Sequence, residues 1–192
     1  MAANVAFVGA NPSTLGETLK EHITFAMVVV HVLSSILWIG GALVIALVMV
    51  PVSRSMEPPG MGLRFVRLAA VRFCGLAWGL LLKMVLSGAV LLELRDIGFA
   101  RWDEPAFWRT DLGRVLLVKY VLVGILLALS AIHDFVLGPR VAAALDGLAP
   151  GAPRPAGVMA TRRRMLMLAR LNMLLALAIV IVGLMILRGI PG

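Results

Sequence analysis

The sequence predicts an all-α integral membrane protein, an antiparallel bundle of four transmembrane helices in one domain covering residues 1–192. The composition is 61% hydrophobic, whereas soluble domains contain about 45–50% apolar residues. Four apolar segments each exceed the roughly 20 residues that a helix needs to cross a bilayer. The connections between them leave no room for a separate soluble domain, and short connections favour antiparallel neighbours.

The four predicted spans are residues 23–51, 66–94, 112–137 and 163–188. The first twenty residues lack a basic segment followed by an apolar run, so we expect no cleavable signal peptide. Thr14, with Glu17 three residues later, predicts a short interfacial helix that leads into the first span. The third connection, 138–160, is rich in proline, glycine and alanine, which predicts a flexible loop.

The charge distribution indicates membrane orientation. The chain carries 18 basic and 10 acidic residues, but the basic residues lie at the ends of apolar segments and are not interleaved with aromatic residues. This pattern argues against nucleic-acid binding. Arginine is concentrated in the first and third connections, and cytoplasmic loops carry that excess. We therefore expect both termini outside the cytoplasm and the chain in the cytoplasmic (inner) membrane, with the lipid bilayer as its first partner.

Polar residues inside the spans are the candidate functional residues, because lipid disfavours them unless a partner, water or a cofactor satisfies them. His31 in the first span is the clearest case. With the predicted topology, these residues fall into an outer and an inner layer. The outer layer contains His31, Lys83, Met84, Lys119 and Tyr120, and the inner layer contains Arg72, His133, Asp134, Arg170 and Asn172.

Helical phase predicts that these residues share faces. Gly79 and Lys83 each fall within about 20° of Arg72 at about 100° per residue. We expect such charged stripes to face the bundle interior, because a charge facing lipid costs several kcal/mol. On the inner side, Asp134 is expected near Arg72 and Arg170, either as an ion-pair network or as a proton or cofactor site. Cys74, the only cysteine, is expected to pack as a small residue.

The ligand chemistry leaves two metal centres open. A b-type haem needs an axial imidazole or thioether and cations for its propionates, which His31, Met84, Lys83 and Lys119 supply. Copper(I) prefers thioether and imidazole ligands, and the chain has 11 methionines. His31 and His133 lie about 20 Å apart along parallel spans at about 1.5 Å per residue, which argues against one metal between them. Met84 can instead be a packing residue, and the lysines can snorkel.

The pattern His31-x6-Trp38-x2-Gly41 resembles the copper-resistance D-type (CopD) membrane domain, whose superfamily includes the HemJ-type protoporphyrinogen oxidases. The resemblance extends to Arg72, Gly88 and Lys119, and to the third-span ending His133-Asp134-Phe135-x2-Gly138-Pro139. CopD-type proteins are associated with copper movement into the cell. The HemJ type implies b haem on His31 and a functional role for Lys119.

Three functions follow as hypotheses: a haem b protein with a redox or electron-transfer role, a copper transporter, and a membrane anchor subunit of a larger complex. A redox partner or a homo-oligomer is compatible with the first. The residues predicted to bind the cofactor are His31, Trp38, Arg72, Lys83, Met84, Lys119 and His133, with His31 and Met84 as metal ligands.

Overall fold

Four long helices form the protein. The computed structural model describes residues 12–58, 60–146 and 156–188, and regular structure in these ranges is helical throughout. Four helical segments are long and apolar enough to cross a membrane. This finding confirms the predicted all-α class with four spans. The helices are α1 (Pro12–Val44), α2 (Met61–Leu94), α3 (Asp111–Ala131) and α4 (Ala156–Arg188). The orientation of the termini stays a prediction.

Helices α1 and α3 both continue through a π-helical segment that ends just before a proline. The segments are Ile45–Met49 and Ile132–Leu137, and each is closed by a hydrogen bond from the residue before the proline to a carbonyl five residues back. A proline ring clashes with the carbonyl four residues back in an α-helix. The wider turn relieves that clash, so Pro51 and Pro139 are accommodated without ending the helix.

The predicted boundaries of the third connection are wrong, in part because the helix continues through Pro139. The loop predicted from residue 138 is instead helix Gly138–Asp146, and α4 begins within the same predicted loop at Ala156. Residues 147–155 of that connection lie outside the described residues. The predicted short interfacial helix is continuous with the first span in α1, and the side chain of Thr14, its predicted cap, lies outside the described residues.

The main packing pairs are α1 with α2 and α3 with α4. All four helices meet at one apolar centre, whose buried members are Trp38, Ala77, Leu80, Leu81, Leu126 and Ala176. Many other large apolar side chains are exposed, such as Leu47 and Leu174. In a membrane these side chains face acyl chains, so helix association depends on the van der Waals fit of the centre.

Aromatic rings order the second connection at the opposite end from the two prolines. Trp102 contacts Tyr120 of α3, with 5.3 Å between ring centroids, and its carbonyl accepts a hydrogen bond from Trp108 Nε1 at 3.1 Å. Lys20 pairs with Asp96 at 3.5 Å. This connection therefore packs on the middle of α3 at Tyr120, in the layer that contains His31, and is tied to the N-terminal third of α1 by Lys20.

Candidate metal and cofactor site

His31 lies partly buried where α1 packs on α2. Its Nδ1 is 3.1 Å from Ser87 Oγ, and its Cε1 is 3.3 Å from the position that a Cβ on Gly88 would occupy. Glycine at position 88 therefore lets the imidazole approach the backbone of α2. The contact joins two residues that the sequence pattern singles out on different spans.

Ser87 determines which imidazole nitrogen is free. The hydroxyl of Ser87 donates to the Lys83 carbonyl at 2.6 Å, and a hydroxyl has only one hydrogen to donate. Ser87 Oγ is therefore an acceptor toward His31, so we assign the imidazole proton to Nδ1. Nε2 then carries the free lone pair. Metal-binding histidines adopt this arrangement, with one nitrogen held by a hydrogen bond and the other on the metal.

Ser35 connects His31 to Met84. Its hydroxyl lies 2.8 Å from the His31 carbonyl oxygen and 2.9 Å from the Met84 sulfur. Because sulfur is a weak acceptor, the carbonyl is the stronger partner for the single hydroxyl hydrogen, and the thioether remains available. The structure thus places the Met84 thioether against the turn of α1 that follows His31, while the Met84 side chain also packs on the apolar centre.

Trp38 lies in the apolar centre of the bundle and is 7% exposed. It packs with Leu80, Leu81 and Leu126 among others. Packing against these neighbours is sufficient to explain the burial of Trp38. Its predicted contact with a cofactor stays a prediction.

The two lysines of the outer layer differ in position. Lys119 is partly buried and close enough to His31 to interact with it electrostatically. Lys83 is exposed, and so is Arg72, which lies on the same charged stripe of α2. The predicted inward orientation of Arg72 and Lys83 is therefore wrong, while their role toward a cofactor stays a prediction.

The apolar residues of α2 explain this orientation. The face that packs inward carries Ala77, Leu80, Leu81 and Ser87, all buried, and Met84 lies at its middle. Lys83 is rotated from Met84 by about 100°, as consecutive helical residues are. Packing the large apolar face inward therefore turns the charged stripe toward the surface of the bundle.

A second polar cluster surrounds Asp134 in the inner layer. Its Oδ1 is 2.7 Å from His133 Nδ1, and its Oδ2 accepts a hydrogen bond from Trp78 Nε1 at 3.0 Å. Cys74 is a further hydrogen-bonding neighbour. The predicted network with Arg72 and Arg170 is wrong, because no ion pair within the described residues joins either arginine to Asp134. Both arginines are exposed.

The structure therefore groups the predicted site residues unequally. His31 and Met84 lie on adjoining turns of α1 and α2 with Lys119 within electrostatic range of His31, whereas His133 belongs to the separate Asp134 cluster. Sequence reasoning did not single out Ser87, although a serine beside Gly88 in an apolar span was a usable signal. Within the described ranges, three or more His, Cys, Asp or Glu side chains do not converge on a metal position.

Comparison with protein families supports the resemblance seen in the sequence. The family model described as "Copper resistance protein D" (CopD) matches residues 67–186. His31 and Trp38 precede this stretch, whereas Met84, Gly88 and Lys119 lie within it. A search of curated proteins gave no match, and neither did a search of solved structures. Because the family model covers more than half of the chain, this multi-pass membrane protein belongs to the CopD family.

Proposed function

We propose that the protein moves copper across the cytoplasmic (inner) membrane and that His31 and Met84 bind the copper(I) ion during passage. The observation that carries this proposal is the hydrogen bond that fixes His31 Nδ1 on Ser87, since it leaves Nε2 free for a metal. Imidazole and thioether are ligands that copper(I) prefers. Membership in a family named for copper resistance supports the same cargo.

Lys119 gives this site the properties of a transport site rather than a storage site. Its ammonium group lies close enough to His31 to act on it electrostatically, and it repels a copper(I) ion held there. Transported ions must bind well enough to enter and weakly enough to leave. A cation beside the ligands lowers the affinity and thereby favours release.

Copper(I) affinity tests the proposal directly. We expect His31→Ala to lower the affinity of the detergent-purified protein by more than about 100-fold, because loss of even a supporting group costs about 10–100-fold. The measurement is competition with a coloured copper(I) chelator. His22→Ala is the matched control, since His22 is exposed on the same helix and, among the described residues, bonds the Thr18 carbonyl alone, at 2.7 Å. Equal affinities for the two variants would contradict the proposal.

Ser87→Ala tests the assigned imidazole proton. Without the serine acceptor, only the hydrogen bond with the Met84 backbone remains to orient the imidazole, so we expect copper(I) affinity to fall by about tenfold, the lower end for loss of a supporting group. Ser53→Ala is the control, because Ser53 makes a comparable bond to the Val50 carbonyl, at 2.7 Å, far from His31 along the helix. A Ser87→Ala protein with wild-type affinity and wild-type thermal stability would refute the role of Ser87.

A second candidate function is haem b binding, favoured by Lys119 beside His31. A cation that repels copper(I) would instead pair with a haem carboxylate, and glycine at position 88 leaves the imidazole edge uncrowded. His31 would hold the iron through Nε2, and the haem would supply one-electron transfer. The visible spectrum separates the candidates. A Soret band that His31→Ala removes and His22→Ala retains would favour haem, whereas its absence after adding haemin would exclude it.

A further inference from the structure

Helix α4 carries an exposed stripe with two arginines. Arg163, Leu166, Met167 and Arg170 are spaced as i, i+3, i+4 and i+7, which places them on one helical face. All four are exposed, and we call them the arginine stripe. The candidate span on this helix is Ala156–Ile186. In a membrane, the arginine stripe therefore faces lipid, and Leu174 continues the same face toward the bilayer interior.

The two arginines need an anion at this position. An arginine that faces acyl chains is costly unless its guanidinium reaches a headgroup or a counter-charge. Within the described part of the chain, no ion pair includes Arg163 or Arg170. They lie seven residues apart, about 10.5 Å along the helix, so two long side chains can converge on one headgroup between them.

A surface concavity lies at the start of the stripe. Its volume is about 460 Å³, and it is lined by Met159, Ala160, Arg162, Arg163 and Leu166. Arg163 of the arginine stripe and its neighbour Arg162 thus border a mostly apolar hollow, and Arg170 lies outside it. This combination matches an amphipathic ligand, with an anionic group against the arginines and a hydrocarbon part against methionine and leucine.

We propose that the arginine stripe binds an anionic phospholipid. Arg163 and Arg170 hold its phosphate, and the acyl chains follow Leu166, Met167 and Leu174. Guanidinium groups bind phosphate oxygens through paired, charge-assisted hydrogen bonds. Basic pockets on transmembrane helices next to the cytoplasmic face are a known position for such headgroups. Charge selects the lipid, because two unpaired arginines favour a headgroup with net negative charge over a zwitterionic one.

Native mass spectrometry of the full-length protein in detergent tests this proposal with phosphatidylglycerol and phosphatidylcholine as probes. We expect the wild-type protein to bind phosphatidylglycerol more tightly than phosphatidylcholine. The double variant Arg163→Gln/Arg170→Gln should lose roughly 30-fold in phosphatidylglycerol affinity, since each arginine near a membrane surface contributes about fivefold. Its phosphatidylcholine affinity should fall less, because the choline cation offsets the phosphate charge of that lipid.

The double variant Arg54→Gln/Arg64→Gln is the matched control. Arg54 and Arg64 are exposed around the start of α2, and two spans separate them from the start of α4, so all four arginines lie on the same side of the membrane. This control removes two charges without touching the arginine stripe and should keep the preference for phosphatidylglycerol. Either of two results would overturn the proposal: an unchanged lipid preference in the Arg163→Gln/Arg170→Gln variant, or an equal loss in the control that indicates diffuse electrostatic attraction.

Discussion

Trp38→Ala is expected to destabilise the folded bundle by about 3–5 kcal/mol, the largest loss from a single side chain in this protein. The indole is 7% exposed and packs in a centre that contains Leu80 and Leu81 of α2, Leu126 of α3 and Ala176 of α4. Its removal leaves a cavity that all four helices border. Lipid cannot fill a cavity enclosed by the helices, and van der Waals fit is the main force that holds transmembrane helices together.

The measurement is the free energy of unfolding in mixed detergent micelles. Leu37→Ala is the matched control, because Leu37 precedes Trp38 and is 58% exposed. Its side chain faces lipid, so we expect a change within about 0.5 kcal/mol. Comparable losses in the two variants would show that the centre of the bundle does not lie at Trp38.

Gly113→Ala is expected to destabilise the protein by about 3 kcal/mol, the upper end for an overpacked site. Gly113 is buried in the first turn of α3, and its backbone N–H donates to the capping hydroxyl of Thr110 at 3.0 Å. A Cβ at this position would collide with the carbonyl group of Phe107 and lie 3.0 Å from Trp108 Cα. These are backbone atoms, so relief requires moving the whole connection that precedes α3.

Gly124→Ala on the same helix is expected to change the stability in the opposite direction from Gly113→Ala. A Cβ at Gly124 meets no atom within 4 Å, and alanine favours a helix over glycine by about 1 kcal/mol. We therefore expect Gly124→Ala to stabilise the protein slightly while Gly113→Ala destabilises it. Thermal unfolding of both variants gives the comparison, and a stabilised Gly113→Ala protein would show that the connection is free to move.

Hydropathy was sufficient to predict the four spans, because a bilayer imposes a minimum length on apolar helices. The ends of the helices depend on finer features. Composition predicted a loop from residue 138, but the π-helical turn before Pro139 lets the helix continue. Whether a proline ends a helix or follows a wide turn depends on backbone geometry that residue type alone does not specify.

Residue type and depth predicted His31 and Met84 as ligands, and that role stays a prediction. The structure places Met84 Sδ 2.9 Å from the hydroxyl of Ser35, one turn after His31, a contact that residue types alone do not reveal. The inward-facing side of each helix was harder to predict, because helical periodicity shows which residues share a stripe but not which stripe packs inward. On α2 the competition was between a charged stripe with Lys83 and an apolar face with Leu80, and the apolar face packs inward.

The hydrogen bond from Ser87 to the carbonyl of Lys83 gives position 83 two independent roles. Its side chain is exposed at the surface of the bundle, while its main-chain oxygen orients the serine that orients His31. An alanine or glutamine scan alters only the first role, since every amino acid supplies the same carbonyl. Functional silence of a side-chain variant at position 83 would therefore say nothing about its distance from the site, and only a change in the helical backbone there, such as an inserted residue, would reach the imidazole.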